Sequence, residues 1–415
     1  MKRRVVITGM GTVNALGLSV DETWQSIKVG RNGIGPITLF DASKQKPYLV
    51  GEVKGFDPEN YFSLKEAKRL DRVMAFGIVA AQQAFDQSGL ANCEFDRSRF
   101  GVYVTSGIGG LWTINEESKK AHFQSADRIS PFFVTNSIIN MVGGNIAIKM
   151  QAKGACLSIV TACSSATNAI GEAFRAIRDG YLDCVLAGGA EAAINELGIG
   201  GFASIKAISP NLDPNRASIP FDFERSGFVM AEGSGILMME TLDHAKKRRA
   251  DILGEIIGYA SNCDAFHITQ PDETASSIIA CMKSALKDAK LEPDQVDYIN
   301  PHGTSTYYND RLETKGIKAV FQTHSEKVSI GATKSMHGHA LGAVGGIEAI
   351  ITLKALQHDL VPPTINYRVF DPECDLDVTP NVARPRRLRV ALKNSLGFGG
   401  HNATLIFRKW EEPDA

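Results

Sequence analysis

Leu157-Ser-Ile-Val-Thr-Ala-Cys163-Ser-Ser-Ala-Thr-Asn-Ala-Ile-Gly171 is the stretch on which the fold turns. Its apolar, β-branched opening reads as a buried strand over residues 157–161, and the small residues that follow read as a helix able to pack closely on its neighbours. A strand feeding directly into a helix is the building unit of α/β architecture. The junction also puts Cys163 at a helix N-terminus, where free amides and the positive end of the dipole favour a thiolate, so a depressed thiol pKa is expected. Taken alone, the cysteine could equally be a buried structural residue, as Cys156 and Cys184 in their apolar runs are expected to be.

Outward from this junction the same alternation recurs. Short β-branched runs at residues 5–8, 100–105, 184–187, 235–240, 254–260, 298–300, 328–332 and 403–407 read as further strands. Helical spacing is clear in residues 73–88 (Phe76, Val79, Ala80, Ala84) and 340–356 (Val344, Ile347, Ile350, Ile351, Leu353). No Pro/Ser linker, charge block or low-complexity tract divides the 415 residues, which predicts one compact α/β unit; no internal repeat is legible in the residues themselves. Glycines cluster at 107–110, 143–144, 188–189, 198–201 and 397–400, as tight turns or as backbone lining a site. Gly9-Met-Gly11-Thr-Val-Asn14 hints at a dinucleotide fingerprint, but Asn14 stands where the third glycine belongs.

Composition narrows the function classes. A net charge of −1 with 22% charged residues gives no overall basic excess for nucleic acid or a membrane surface. Seven scattered cysteines without a CxxC pair argue against a disulfide framework or structural zinc. The apolar stretch after Met1-Lys-Arg-Arg is too short for a secretion signal, and no segment approaches a membrane span, so cytoplasmic residence is expected.

Two of the nine histidines fall in suggestive places. His302, in Asn300-Pro-His-Gly-Thr-Ser-Thr306, follows a short strand, where open α/β folds place reactive side chains. His339, in Lys334-Ser-Met-His-Gly-His-Ala-Leu-Gly342, opens onto a helix that carries Glu348. Cysteine plus histidine points to nucleophilic catalysis.

These motifs, together with Val6-Ile-Thr-Gly-Met-Gly11, Arg69-Leu-Asp-Arg72, Thr105-Ser-Gly-Ile-Gly-Gly110, Leu186-Ala-Gly-Gly-Ala-Glu191, Pro220-Phe-Asp222, Val361-Pro-Pro-Thr-Ile-Asn366 and Asn394-Ser-Leu-Gly-Phe-Gly-Gly400, resemble the β-ketoacyl-acyl-carrier-protein synthases of the thiolase superfamily, most nearly the type II elongating enzymes. The resemblance implies a thiolase-like five-layered α-β-α-β-α sandwich of two similar halves, residues 1–250 with Cys163 and residues 251–415 with His302 and His339, usually as a homodimer. It implies an acyltransferase of fatty-acid elongation: an acyl group carried on Cys163 is condensed with malonyl-acyl-carrier protein, with loss of carbon dioxide, to give β-ketoacyl-acyl-carrier protein. No cofactor is implied, since the phosphopantetheine belongs to the carrier.

The resemblance also assigns residues. His302 and His339 would stabilise the enolate, and the backbone N–H groups of Cys163 and Phe398 would form the oxyanion hole. Lys334 and Glu348 would support the second histidine; without the motif they would read as an ordinary surface pair. Thr269, Thr304 and Thr306 match pantetheine-binding positions, and Ile108, Phe202 and Phe398 match acyl-pocket positions. Lys65, Lys68, Arg69, Arg128 and Lys206 match the positions that meet the acidic carrier around the tunnel mouth, although Lys65 to Arg69 could equally be a solvated helix face. Three features depart from the family pattern: His337 before Gly338, Phe266 where tyrosine is frequent, and Tyr307-Tyr-Asn-Asp310, expected as a variable loop.

Other readings are separable. A non-catalytic chain-length-factor subunit would lack the cysteine nucleophile. A starter-type synthase or a thiolase would carry asparagine for His339, or a second cysteine in the loop that here reads Gly397-Phe-Gly-Gly-His-Asn402. A cysteine hydrolase would release free acid. A polyketide or aryl-polyene ketosynthase shares the same catalytic residues and is the nearest alternative.

Overall fold

The structure, a computed structural model, describes residues 2–411. Nine strands form its main sheet: β1 (Val5–Asn14), β2 (Phe100–Thr105), β3 (Cys184–Glu191), β4 (Gly233–Thr241), β5 (Gly254–Cys263), β6 (Tyr298–Asn300), β7 (Ser329–Ile330), β8 (Val390–Gly397) and β9 (His401–Arg408). Five helices pack on them: α1 (Arg72–Ser88), α2 (Ser165–Arg178), α3 (Ser276–Ala289), α4 (Tyr307–Phe321) and α5 (Val344–His358). The spatial order is β7-β6-β8-β9-β5-β1-β4-β3-β2.

The order contains a repeat that the residues do not display. From the centre outward, β1 pairs antiparallel with β4, β4 antiparallel with β3, and β3 parallel with β2. On the other side β5 pairs antiparallel with β9, β9 antiparallel with β8, and β8 parallel with β6. Within the sheet, among the described residues, the halves are joined by the pairing of residues 5–7 with 254–256. The helices repeat as well: α1 and α3 follow the first strand of each half, while α2 and α5 precede β3 and β8.

Layering follows from which face each element buries. α1 covers the outer face of β1, β3 and β4, and its apolar side forms one core with Phe100, Val102, Leu186 and Ile236. α3 and α4 cover the outer face of the other half around Ile299, Leu392 and Ile406. Between the halves α2 and α5 pack on each other and on strands of both, in a central core shared by Ile170, Phe174, Ile347, Ile351, Leu237 and Leu405. The result is five layers, α-β-α-β-α, as the resemblance implies. A helix buried on all sides must be apolar or small all round, which is why α2 reads Ser-Ala-Thr-Asn-Ala-Ile-Gly; a Cβ on Gly171 would come within 2.2 Å of the Tyr259 ring.

The glycines of the opening strand have a similar explanation. A Cβ on Gly9 or Gly11 would fall 1.9 Å from the carbonyl oxygen of Ala84 or Ala80, so both residues let α1 lie against β1 and neither turns around a nucleotide. α1 itself starts at Asp71, whose carboxylate accepts from Val73 N–H at 3.0 Å, and ends at Gly89 in the left-handed region.

Several local expectations are corrected. Residues 157–161 form no strand: the segment runs extended beside edge strand β2, with Val102 N–H donating to Ala155 O and Leu157 N–H to Val102 O, and its side chains Leu157 and Val160 are exposed by 48% and 46%. Cys156 is accordingly exposed, whereas Cys184 is buried as expected. β8 stands where no strand was expected, because Lys393-Asn-Ser395 interrupts the apolar run although all three side chains are buried. Residues 341–343 make a 3-10 turn and α5 begins only at Val344. Residues 307–310 are the first turn of α4 and not a loop. The C-terminal half expected for residues 251–415 extends past the described residues at 412–415.

Candidate active site

The nucleophile candidate stands on a strained turn. Ala162, without glycine's freedom, has φ 51°, and residues 162–164 make a 3-10 turn before α2. The turn is held on three sides: Thr161 N–H donates to Ser165 Oγ at 2.9 Å, Asn168 Nδ2 donates to Thr161 Oγ1 at 2.7 Å, and Ser164 Oγ–H donates to His401 O at 2.8 Å. The last bond ties it to the hairpin turn between β8 and β9, where Gly399 (φ 83°) and Gly400 (φ 75°) reverse the chain directly after Phe398.

Burial pushes the Cys163 thiol up to about 12, opposed by the positive charge of Lys334 and by the N–H groups of Phe398 and of Cys163 itself. The expectation of a depressed pKa is therefore corrected: the desolvation of a site enclosed by two half-molecules outweighs the helix terminus. The two opposing amides are informative in another way. Both lie near enough to the sulfur to favour its thiolate, so an acyl carbonyl attached there would have its oxygen within their neighbourhood.

Both histidines reach the same cavity, of about 370 Å³, which Cys163, His302, His339, Phe398, Phe202, Thr269, Thr304, Thr306 and Lys206 line. The imidazoles meet edge to face with centroids 5.3 Å apart. Burial holds both well below the ordinary histidine pKa, and the charges of Lys334 and Lys393 push in the same direction, so both rings are neutral at pH 7. The Nδ1 atom of each is buried without a hydrogen-bond partner among the described residues.

The His302 loop hangs from buried carboxylates that the sequence reading missed. Glu313 of α4 accepts from His302 N–H at 2.7 Å and from Gly303 N–H at 2.8 Å. Asp310, one turn earlier, accepts from Thr304, Ser305 and Phe221 N–H groups at 3.0, 3.1 and 2.8 Å. A third, Glu191, holds Gly107 and Gly342 N–H groups at 2.8 and 2.9 Å and Ser106 Oγ–H at 2.7 Å, joining the Ile108 loop to the turn before α5. A fully buried acid is rare unless it satisfies several donors, so acids embedded in helix and strand patterns are the signal that could have found these three.

Lys334 and Glu348 are buried and paired at 2.7 Å, which removes the surface-pair reading. Lys334 Nζ also donates to the carbonyl oxygen of His302 at 2.5 Å. The pair therefore props the first histidine directly, and the Lys334 charge acts on His339 through its field, the kind of support the resemblance implies for the second. His339 is held instead by its backbone, whose N–H donates to Val229 O at 2.7 Å and whose carbonyl accepts from Ala231 N–H at 2.9 Å. His337 is buried, absent from the cavity wall, bonded through Nε2 to Thr333 Oγ1 at 3.1 Å, and pushed down to about 4 by burial.

Thr304 and Thr306 are hydrogen-bonded to each other at 2.9 Å on the cavity wall. Phe398, Phe202, Phe228 and His339 form a continuous aromatic run at centroid separations of 6.2, 5.5 and 5.3 Å. Ile108 packs with Cys163 and Phe202 in one apolar cluster without lining the cavity. Tyr307, Tyr308 and Asn309, from the first turn of α4, add to the wall. Of the five candidate carrier contacts only Lys206 lies at the cavity. Lys68 and Arg69 border a separate surface depression, with Arg69 over the Phe132 ring at 5.0 Å, and Lys65 and Arg128 are exposed elsewhere. Among the described residues no three of His, Cys, Asp or Glu converge so as to hold a metal ion.

Comparison with known proteins gives the family. The family description "Beta-ketoacyl synthase, N-terminal domain" matches residues 2–245 and "Beta-ketoacyl synthase, C-terminal domain" matches residues 253–368. The chain belongs to the β-ketoacyl synthase family. This ketosynthase is 47% identical over 411 residues, 99% of both chains, to 3-oxoacyl-[acyl-carrier-protein] synthase 2 of Synechocystis sp.. It is 44% identical to the protein of the same name from Coxiella burnetii, over 98% of this chain and 99% of the relative. Among solved structures, a ketosynthase in complex with its type II PKS acyl-carrier protein superposes with a TM-score of 0.92 at 33% identity, covering 99% of this chain and 100% of that one.

Proposed function

We propose that this ketosynthase joins an acyl group to a malonyl unit with loss of carbon dioxide, giving a β-ketoacyl thioester on acyl carrier protein in fatty-acid elongation. The observation that carries the reading is the convergence of the Cys163 sulfur, the Phe398 turn beside it and two neutral imidazoles in one cavity.

In the first half-reaction the Cys163 sulfur attacks the acyl thioester carbonyl. The oxyanion rests on the Cys163 and Phe398 N–H groups, the carrier's thiolate leaves, and the cysteine proton ends on that thiol. Burial keeps Cys163 a thiol until substrate arrives, so the proton leaves the sulfur as the carbon–sulfur bond forms. In the second half-reaction the malonyl carboxylate leaves as carbon dioxide and its electron pair becomes an enolate on the thioester oxygen. A proton on a partnerless buried Nδ1 would be an unsatisfied donor, so the neutral rings carry theirs on Nε2 and present N–H groups to that oxygen. The enolate carbon then attacks the acyl-Cys163 carbonyl, and collapse of the second oxyanion expels the cysteine sulfur, which regains a proton.

The walls suit the substrates. Thr269, Thr304 and Thr306 offer hydroxyls to the amides of a pantetheine arm, and Phe202 and Phe398 offer apolar surface to an acyl chain, with Ile108 packed in the apolar cluster behind them. Lys206 at the mouth is placed for an acidic carrier, and Lys65, Lys68, Arg69 and Arg128 are further basic contacts in this reading. Cytoplasmic residence belongs to the same reading; among the described residues no helix is long and apolar enough to cross a membrane.

Homodimerisation belongs to it too. Residues 155–161 extend the sheet at the β2 edge and expose Leu157 and Val160, with Val134 and Ile138 also exposed at 62% and 43%. An open edge carrying apolar side chains is a pairing template, and a second copy of the chain would cover it beside the nucleophile turn. Sedimentation at the mass of two chains is the expected outcome.

A polyketide pathway is the second reading, favoured by the solved neighbour whose ketosynthase binds a hexaketide, while the full-length relatives at 44–47% identity favour fatty-acid elongation. Acyl-carrier and malonyl-carrier substrates, with products analysed by mass, test both. One two-carbon extension per turnover is expected, with an acyl adduct on Cys163 that Cys163→Ser abolishes while circular dichroism is unchanged. Free acid as the only product, or normal condensation by the serine variant, would overturn the assignment.

A further inference from the structure

Lys393 is fully buried on β8, carries a charge that the mechanism above does not use, and lies outside the cavity wall. Its Nζ reaches four groups on three elements. It donates to Asn394 O at 2.9 Å and to Ser395 Oγ on its own strand, and to Thr167 Oγ1 at 3.3 Å, one turn into the nucleophile helix α2. It also stands 3.2 Å from Glu348 Oε2 on α5. Ser395 and Thr167 are themselves bonded at 2.7 Å. Because Glu348 Oε1 pairs with Lys334 and Lys334 donates to His302 O, one line of charges runs from the His302 loop to the nucleophile helix: His302 O, Lys334, Glu348, Lys393, Thr167.

We propose that Lys393 is a positioning residue for the decarboxylation half-reaction, its ammonium standing in charge contact with the second oxygen of Glu348 and supplying, with Lys334, the positive field beneath the two imidazoles. The proposal rests on the condensing reading given above. A carboxylate shared by two ammonium groups leaves these three side chains with one net positive charge that acts on both imidazoles, while the Glu313 carboxylate is taken up by the His302 and Gly303 N–H groups. The same field opposes protonation of His302 and His339 and so keeps both as N–H donors. The charged groups that face Lys393 are Glu348 from α5, Lys334 from the turn Lys334–His337 and Glu313 from α4; burial and Lys334 lower its own pKa to about 8 while the two carboxylates raise it.

The test uses Lys393→Met, which keeps length without charge, and Lys393→Gln, which keeps a donor for Ser395 and Thr167 without charge. Wild type is first shown to form β-ketoacyl product, so failure of the condensing reading would show there and not in the variants. Circular dichroism and melting establish folding, and acylation of Cys163 and malonyl-carrier decarboxylation are then measured separately from pH 5 to 9. The expected result is a fall of about tenfold or more in the decarboxylation kcat with the malonyl-carrier KM within about threefold, because a field contribution acts on the transition state. Cys163 acylation stays within about threefold. The acid limb of the decarboxylation profile moves up by about half a pH unit or more, as less positive potential lets the imidazoles protonate more readily. An unchanged profile and rate in the folded variants would overturn the proposal. So would a parallel loss of both half-reactions without a shift of the limb, or failure of both variants to fold, since either marks Lys393 as a structural tie only.

Discussion

Replacing Glu313 tests how the His302 loop is held. The carboxylate is fully buried, and each oxygen faces a backbone donor, His302 N–H at 2.7 Å and Gly303 N–H at 2.8 Å, with Asn394 Nδ2 sharing the first oxygen at 3.3 Å. Glu313→Gln keeps size but turns one acceptor into an NH2 group set against a donor. A buried donor left unsatisfied costs about 1–3 kcal/mol, so that variant should lose about that much stability. Glu313→Ala strips both amides, and two such penalties give about 2–6 kcal/mol, a large share of the roughly 5–15 kcal/mol that holds a folded protein together. The loop carrying a catalytic ring would shift as well, and a displacement of about 1 Å can cost about 100-fold in rate. Urea unfolding followed by fluorescence gives the stability difference, and malonyl-carrier decarboxylation gives the rate. Glu313→Ala with stability within about 0.5 kcal/mol of wild type and decarboxylation within about twofold would refute the view that this carboxylate positions His302.

The other outcomes can be stated briefly. His339→Ala should lower decarboxylation about 100-fold to 1000-fold, the usual cost of one oxyanion donor, while Cys163 acylation stays measurable. His337→Thr should change either step by less than about tenfold, since that ring bonds Thr333 behind the wall; greater damage from His337→Thr would reverse the assignment. Lys206→Glu should raise the apparent KM for carrier-bound substrate and flatten its dependence on salt. Lys65→Glu with Arg69→Glu should do the same if the carrier also spans the depression beside Phe132, and an unchanged KM for the pair would confine carrier contact to the mouth.

The layers were legible because helical and strand periods survive wherever one face of an element is buried. α1 was expected at 73–88 and found at Arg72–Ser88, and β2 and β6 match their expected bounds. Legibility failed where burial and polarity part company. Lys393, Asn394 and Ser395 are buried in β8, but their polar side chains break the apolar run that a strand reading needs. Leu157 and Val160 form an apolar run and yet lie exposed beside a sheet edge, against the burial that an apolar run leads one to expect. The twofold repeat was hidden for a different reason: it resides in the sequence of antiparallel and parallel pairings, and α2 and α5 share a role without sharing residues.

At the site, resemblance could name the side chains that line the cavity but not the ones that hold them. Cys163, His302, His339 and Phe398 come together because two strained turns face each other across the central layer, residues 162–164 before α2 and residues 341–343 before α5, with positive φ at Ala162 (51°) and Leu341 (42°). These are equivalent positions in the two halves, so the nucleophile and Gly342, three residues after His339, lie at matching helix starts. Enclosing a nucleophile this way removes water from the sulfur, and the same enclosure that pushes its thiol up to about 12 pushes both imidazoles down. A site of neutral groups is what the second half-reaction needs, because imidazoles that stay uncharged can donate to an enolate without delivering a proton that would quench its carbon. The first half-reaction bears the cost, since its nucleophile must be freed from a high pKa. The amides of Cys163 and Phe398 offset part of that cost by favouring the thiolate before they serve the oxyanion. Burial, more than the helix terminus, therefore sets the chemistry of this site, and no local motif around Cys163 could have revealed it.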